Sequence, residues 1–191
     1  MRTIPLEQLV EGLCAIGPED FCVGNVHDFL TRHPVEESTL APFTFFSRNH
    51  YTRNLIYKDE LFELMAVCWD VGQASLIHNH AEQNCWMSLP VGRLRVQNFR
   101  VVEQDERTGF CRIEPSDHFD LHREAAAEVD PTEPVHQVLN LPEFNERAVS
   151  LHVYSKPFDK CQVYSPVRNQ FSEVQLCYTS QYGKLCEGAR L

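Results

Sequence analysis

The chain has 191 residues, enough for one well-buried domain and short for two. Hydrophobic residues make up 43% and charged residues 23%, which fits a soluble globular protein, and no apolar run reaches the length of a membrane span. The formal net charge of -10 argues against nucleic acid or an anionic membrane as a partner, since both are themselves negative.

The start, MRTIPLEQLVEGL, returns to polar residues too soon for a signal-peptide core. A cytoplasmic protein is the expectation. The eight cysteines are scattered, with no CxxC pair, so most are expected to be small buried hydrophobes.

Residues 4–15 carry Leu6, Leu9, Val10 and Leu13 on one helical face, with Pro5 placed where a first turn tolerates it. The spacing predicts a short amphipathic helix, ended by Gly17-Pro18. Residues 24–33 predict a second helix, and 37–41 a helical turn. After Pro42 the chain becomes rich in β-branched and aromatic residues, broken by turn signals. Strand-like runs fall at 51–57, 61–70, 74–79, 83–89, 93–102, 109–114, 118–123, 134–139, 147–154, 161–164 and 172–178. Many short strands without intervening helices predict an all-β antiparallel barrel or sandwich. The segment 122–131 reads as a short surface helix or loop. One domain over 1–191 is expected: a helical cap (1–42), a barrel core (about 43–178) and a C-terminal tail (179–191). Phe43, Phe45 and Phe46 are expected to seal one barrel end, and Trp86 to pack inside.

His78 and His80 sit two apart in a strand-like run, so both imidazoles face the same side. That pattern alone fits a metal site, a hydrogen-bonded core pair or ordinary surface residues. His136, in PTEPVHQVLN, can add a third imidazole from a neighbouring strand. In SLHVYS, Ser150, His152 and Tyr154 share one face of a strand. Turned inward, that polar face must be hydrogen-bonded or functional; turned outward, it is merely solvated.

The spacing G-x5-H-x-H-x4-C-x6-G at 72–92 resembles the first cupin motif, with Cys85 where most cupins place a metal-ligating glutamate. P-x4-H-x3-N at 131–140 resembles the second, with Glu133 at its usual glycine. With YTRNL (51–55) and SLHVYSKPFDKC (150–161), the chain resembles the animal-type cysteine dioxygenases.

This resemblance implies a cupin-type β-barrel or jelly roll with a small helical cap. It implies iron(II) on His78, His80 and His136, and a thioether crosslink between Cys85 and Tyr154. Arg53 matches the residue that holds the substrate carboxylate, Tyr51 packs beside it, and Ser150 and His152 stand behind Tyr154. Cys161 matches a cysteine near the pocket mouth. The implied reaction is oxidation of L-cysteine by O2 to cysteine sulfinic acid, in a monomer. Three neutral imidazoles leave iron(II) more net charge for anionic ligands than two histidines and a carboxylate would. The planar Arg53 fork suits a carboxylate. The alternatives are a dioxygenase of 3-mercaptopropionate or another small thiol, a different metal-dependent cupin enzyme, and a non-catalytic metal-binding cupin. The chain departs from the family at Ser155-Lys156-Pro157, where the family has Ser-Pro-Pro with a cis bond. A cis bond before Lys156 would be a costly non-proline one; otherwise the loop is trans.

Overall fold

The computed structural model describes residues 2–123, 126–129, 135–189 and 191. It opens with helices α1 (Leu6–Cys14) and α2 (Val23–Arg32), then a 3-10 stretch at Glu37–Phe43. α1 buries Leu6, Leu9 and Leu13, and α2 buries Val26 and Leu30, one stripe each. Gly12 lets the helices close: a Cβ there would lie 2.3 Å from the ring of Phe29.

Thirteen strands follow among the described residues. They are β1 (Thr52–Lys58), β2 (Phe62–Trp69), β3 (Ile77–His78), β4 (Cys85–Val91), β5 (Leu94–Asp105), β6 (Phe110–Leu121) and β7 (Ala127–Glu128). The remainder are β8 (Val135–Leu139), β9 (Ala148–Ser155), β10 (Lys160–Ser165), β11 (Gln170–Gln175), β12 (Ser180–Gln181) and β13 (Lys184–Leu185). One sheet runs β13-β12-β1-β2-β9-β4-β7. In the other, pairing passes from β3 through β10, β11, β6, β5 and β8 and returns to β3. The chain is thus two β-sheets, one of them closed by its pairing, with a helical cap.

The cap explains the composition of the central strands. One face of β2 and β9, with Phe62, Leu64, Ala66, Leu151 and Val153, packs on Leu9, Leu13, Val26 and Leu30. The other face, with Met65, Val67, Trp69 and Tyr154, packs on Leu94, Val96 and Val138 of the second sheet. Strands covered on both sides lose the apolar–polar alternation, so FELMAVCW is nearly continuous.

Four segments differ from the sequence reading. The runs at 109–114 and 118–123 are one strand, β6, interrupted only in appearance by Pro115. That proline lies opposite Phe99 of β5, while the pairing of β6 with β11 is confined to Phe110. The proline sits next to a register shift between Gln97 and Phe99, the kind of irregular position a strand proline tolerates. Within 122–131, residues 127–128 are not a helix but pair with β4, Met87 opposite Ala127 and Trp86 opposite Glu128. Glu124, Ala125 and Asp130 of that segment, and Pro131 and Glu133 of the second motif, lie outside the described residues. The 179–191 tail enters the large sheet: β12 runs parallel to β1, and buried Ser180 donates through Oγ to Asn54 Oδ1 at 2.9 Å. Phe43 and Phe46 pack on the helix-side core rather than into the barrel interior. Trp86 is fully buried there, its indole N–H donating to the Val23 carbonyl at 3.0 Å.

Gly92 closes the turn between β4 and β5 at φ +78, and a Cβ there would lie 2.4 Å from the Arg147 carbonyl oxygen. Both the conformation and the space exclude a side chain. Gly92→Ala is expected to cost about 2 kcal/mol or more, read as a lower urea midpoint with an unchanged slope.

Candidate metal centre

β3 and β8 pair with His78 directly opposite His136, and His80 follows two residues after His78. The three rings pack edge to face, with centroids 4.8 to 5.2 Å apart. One donor atom from each lies within 4.8 Å of the others, close enough to converge on one ion. His78 Nδ1 donates to the Leu76 carbonyl at 2.8 Å. A carbonyl only accepts, so this bond fixes the tautomer and leaves the Nε2 lone pair free. Both ring nitrogens of His80 and Nδ1 of His136 are buried without a protein partner. Buried polar atoms are rarely left so, and a metal ion is the partner this donor set fits.

Withdrawal from water holds the His78 imidazole down to about 4. It holds His80 and His136 well below the ordinary value, with neighbouring imidazoles adding to the effect. All three are therefore neutral near pH 7, the form that donates a lone pair.

Beside them lies the polar row of β9. Ser150, His152 and Tyr154 all point inward and are 0%, 4% and 5% exposed, which excludes the solvated reading of that face. Ser150 Oγ is 2.8 Å from His152 Nε2, and the Tyr154 hydroxyl 3.2 Å from His152 Nδ1. Sequence reasoning missed the next member, Trp69, whose indole N–H donates to Ser150 Oγ at 2.9 Å. Its signal was the need of a buried indole for an acceptor, masked by the apolar run around it. Burial holds His152 down to about 3, so it too is neutral.

Tyr154 stands directly opposite Cys85 on β4. Burial pushes both groups up, so both keep their protons near pH 7. The Tyr154 ring packs on His80 at 5.2 Å and on Phe158 at 5.1 Å, edge to face in each case. Tyr51 stacks on Trp69 at 4.7 Å. Arg53 on β1 lines a small inner cavity with Tyr51, His78, His152 and Tyr154. The same Arg53 and Tyr51 border an open depression of about 880 Å³. Among the described residues Arg53 forms no ion pair, and its Nε is buried without a partner.

Cys161 is buried in β10, near enough to Tyr51 and Arg53 to interact with them electrostatically, and it also borders a depression with Asn79 and Glu82. No peptide bond among the described residues is cis; the Ser155-Lys156 bond is trans, and Lys156 takes the left-handed conformation at φ +57 with its side chain exposed. A second residue missed by sequence reasoning is Glu63, fully buried within β2. A lone carboxylate in an apolar run was its available signal.

The β scaffold and its three neutral imidazoles define a candidate non-haem metal centre. The family model for cysteine dioxygenase type I matches residues 19–167. Cysteine dioxygenase type 1 of Danio rerio is 28% identical over 186 residues, covering 96% of this chain and 90% of that protein. The protein of the same name from Rattus norvegicus is 28% identical over 170 residues (84% and 78%), and that from Homo sapiens 27% over 162 residues (84% and 78%). This chain belongs to the cysteine dioxygenase type I family. Among the described residues no helix is long and apolar enough to cross a membrane.

His136→Ala is expected to lose iron on gel filtration, while His118→Ala, altering an exposed residue, retains it; metal analysis reads both. The sign of the His152 shift gives a second expectation. The unfolded imidazole takes a proton below about 6.5, and the folded one resists down to about 3. Stability is therefore complete above the unfolded value and falls with pH inside that window. His152→Gln is expected to reduce the pH slope of unfolding by about 1.4 kcal/mol per pH unit between about pH 6 and 4, measured on metal-free protein.

Proposed function

We propose that this chain oxidises L-cysteine with dioxygen to cysteine sulfinic acid, using iron(II) held by His78, His80 and His136. The observation that carries the substrate is Arg53, a half-buried side chain that lines the inner cavity with His78 and whose Nε is buried without a protein partner. A buried N–H without an acceptor is costly, and an amino-acid carboxylate in a bidentate pair relieves that cost. Bound iron supplies a Lewis acid that favours the substrate thiolate and a redox centre that activates dioxygen.

The protein's own groups do the positioning. Arg53 holds the carboxylate. Tyr51 is fixed by its stack on Trp69, and burial raises its hydroxyl, so it stays a protonated donor beside Arg53. Trp69 donates to Ser150 Oγ, which leaves the serine hydrogen to donate to His152 Nε2. His152 Nδ1–H then donates to the Tyr154 oxygen. The Tyr154 hydrogen is thereby turned towards the pocket, as a donor to the reacting oxygen atoms.

The thioether between Cys85 and Tyr154 is supported by their direct cross-strand pairing and shared burial. It would fix the ring against rotation. The proposal extends to the architecture: one domain, with both sheets forming a single closed cupin barrel around the site. It works as a monomer, in the cytoplasm, and with dioxygen as second substrate, as the family resemblance implies.

Oxygen uptake by iron(II)-loaded protein tests the reaction, with L-cysteine and 3-mercaptopropionate compared and the product identified. Cysteine-dependent uptake yielding the sulfinate is the expected outcome; uptake with 3-mercaptopropionate alone would reassign the substrate. Arg53→Ala is expected to raise the KM for cysteine about 100-fold, from the loss of about 3 kcal/mol in a buried charge pair. An unchanged KM removes Arg53 from that role.

A further inference from the structure

The steps above leave one buried ionisable side chain unused. Glu63 is 0% exposed and lies on the inner face of β2 with Met65, Val67 and Trp69. Cross-strand pairing places Lys58 beside Glu63, Glu63 beside Tyr154, and Tyr154 beside Cys85. The four form one row across β1, β2, β9 and β4. The Tyr178 hydroxyl donates to Glu63 Oε2 at 2.5 Å. Lys58 Nζ is 3.3 Å from the Tyr178 oxygen and 3.7 Å from Oε2. The other carboxylate oxygen, Oε1, is buried with no protein partner. A carboxylate in this place is expensive, and an apolar side chain of like volume would serve packing better.

Two hydrogen-bonded chains reach this row, and they end differently. Tyr154, His152, Ser150 and Trp69 are all buried, and their chain stops at an indole N–H, which can only donate. It orients a hydroxyl but offers a proton no way out. Glu63, Tyr178 and Lys58 lead from the interior to an ammonium whose side chain is 36% exposed.

We propose that Glu63 is the proton acceptor in the formation of the Cys85–Tyr154 thioether, and that Tyr178 and Lys58 pass the proton to solvent. The inference rests on the crosslink proposed above. In that step the Cys85 S–H bond and the Tyr154 ring C–H bond beside the hydroxyl break, and a C–S bond forms. Two electrons pass to dioxygen, the second substrate of the enzyme's own reaction, which takes up two protons to become hydrogen peroxide. The ring proton leaves to the Glu63 carboxylate; an ammonium cannot accept, so Lys58 first gives a proton to solvent, and its free amine then takes the proton that Glu63 hands on through Tyr178. The peroxide draws its equivalent from solvent, and the thiol proton supplies the other. The carboxylate acts on Cys85 and Tyr154 alone and has no part in holding cysteine.

The test follows crosslinking by intact mass, as the loss of two hydrogens, in iron(II)-loaded full-length protein given L-cysteine and air. Glu63→Gln is expected to slow that loss about 100-fold, the range of a removed general base, at wild-type iron content. Tyr178→Phe, which keeps the carboxylate and cuts the outlet, is expected to slow it at least tenfold. Crosslinking of Glu63→Gln at the wild-type rate overturns the proposal. Should Glu63→Gln fail to fold, wild-type crosslinking in Tyr178→Phe overturns it instead. Wild-type protein that never loses the two hydrogens overturns the crosslink itself and this inference with it. That outcome is distinguishable, because parent and variants then all keep the unmodified mass.

Discussion

The site depends on the register between β2, β9 and β4. Side chains alternate between the faces of a strand, so a slip of one residue exchanges the faces completely. In the observed register Val67 lies beside Ser150, Met65 beside His152 and Glu63 beside Tyr154. A slip would turn Leu151 and Val153 into the pocket and press Ser150, His152 and Tyr154 against the leucines of α1 and α2. Three polar groups would lose their partners in an apolar layer, at about 1 to 3 kcal/mol each. The helical cap thus contributes no atom to the chemistry, yet it enforces the alignment that the chemistry needs.

The same burial sets the electrostatics. Four imidazoles cluster beside one half-buried guanidinium, and their pKa values fall with burial as the leading cause and Arg53 as a further one for His78, His80 and His152. The imidazoles stay neutral, so the lasting charge on this side of the pocket is the Arg53 cation. A metal cation adds to it. The site then carries a positive excess that an amino-acid carboxylate and a thiolate together neutralise, whereas a neutral ligand would leave the guanidinium unpaired. The recognition of an anionic thiol is a property of the empty charge balance as much as of any single contact.

Much of this was legible in the sequence because it is carried by short-range periodicity. The two-residue spacing of His78 and His80, and of Ser150, His152 and Tyr154, assigns each group to a face without tertiary information. What periodicity cannot say is which face looks inward; His136 opposite His78, and the burial of Ser150, settled that. The misses have physical causes. Pro115 reads as a break, but it falls at a register shift in the β5–β6 pairing, where a missing N–H is tolerated. The dipeptide Ser180-Gln181 is too short to register as a strand and is recruited through a side-chain bond to Asn54. Trp69 and Glu63 are hidden because a strand covered on both faces shows no alternation against which a functional residue would stand out.

The cross-strand row also explains how the chain uses a carboxylate without spoiling the metal site. Cys85 faces Tyr154 across the strands, and its buried thiol stays protonated, so it adds no negative charge there. The carboxylate that the interior does contain, Glu63, is set on the far side of Tyr154 and tied to Tyr178 and Lys58. It is one strand further from the ligands than Cys85's partner, with an aromatic ring between. At that remove it does not compete with substrate for Arg53, yet it remains beside the ring that Cys85 faces from the other edge. One register therefore separates two duties: neutral donors towards the metal, and a charged acceptor towards solvent.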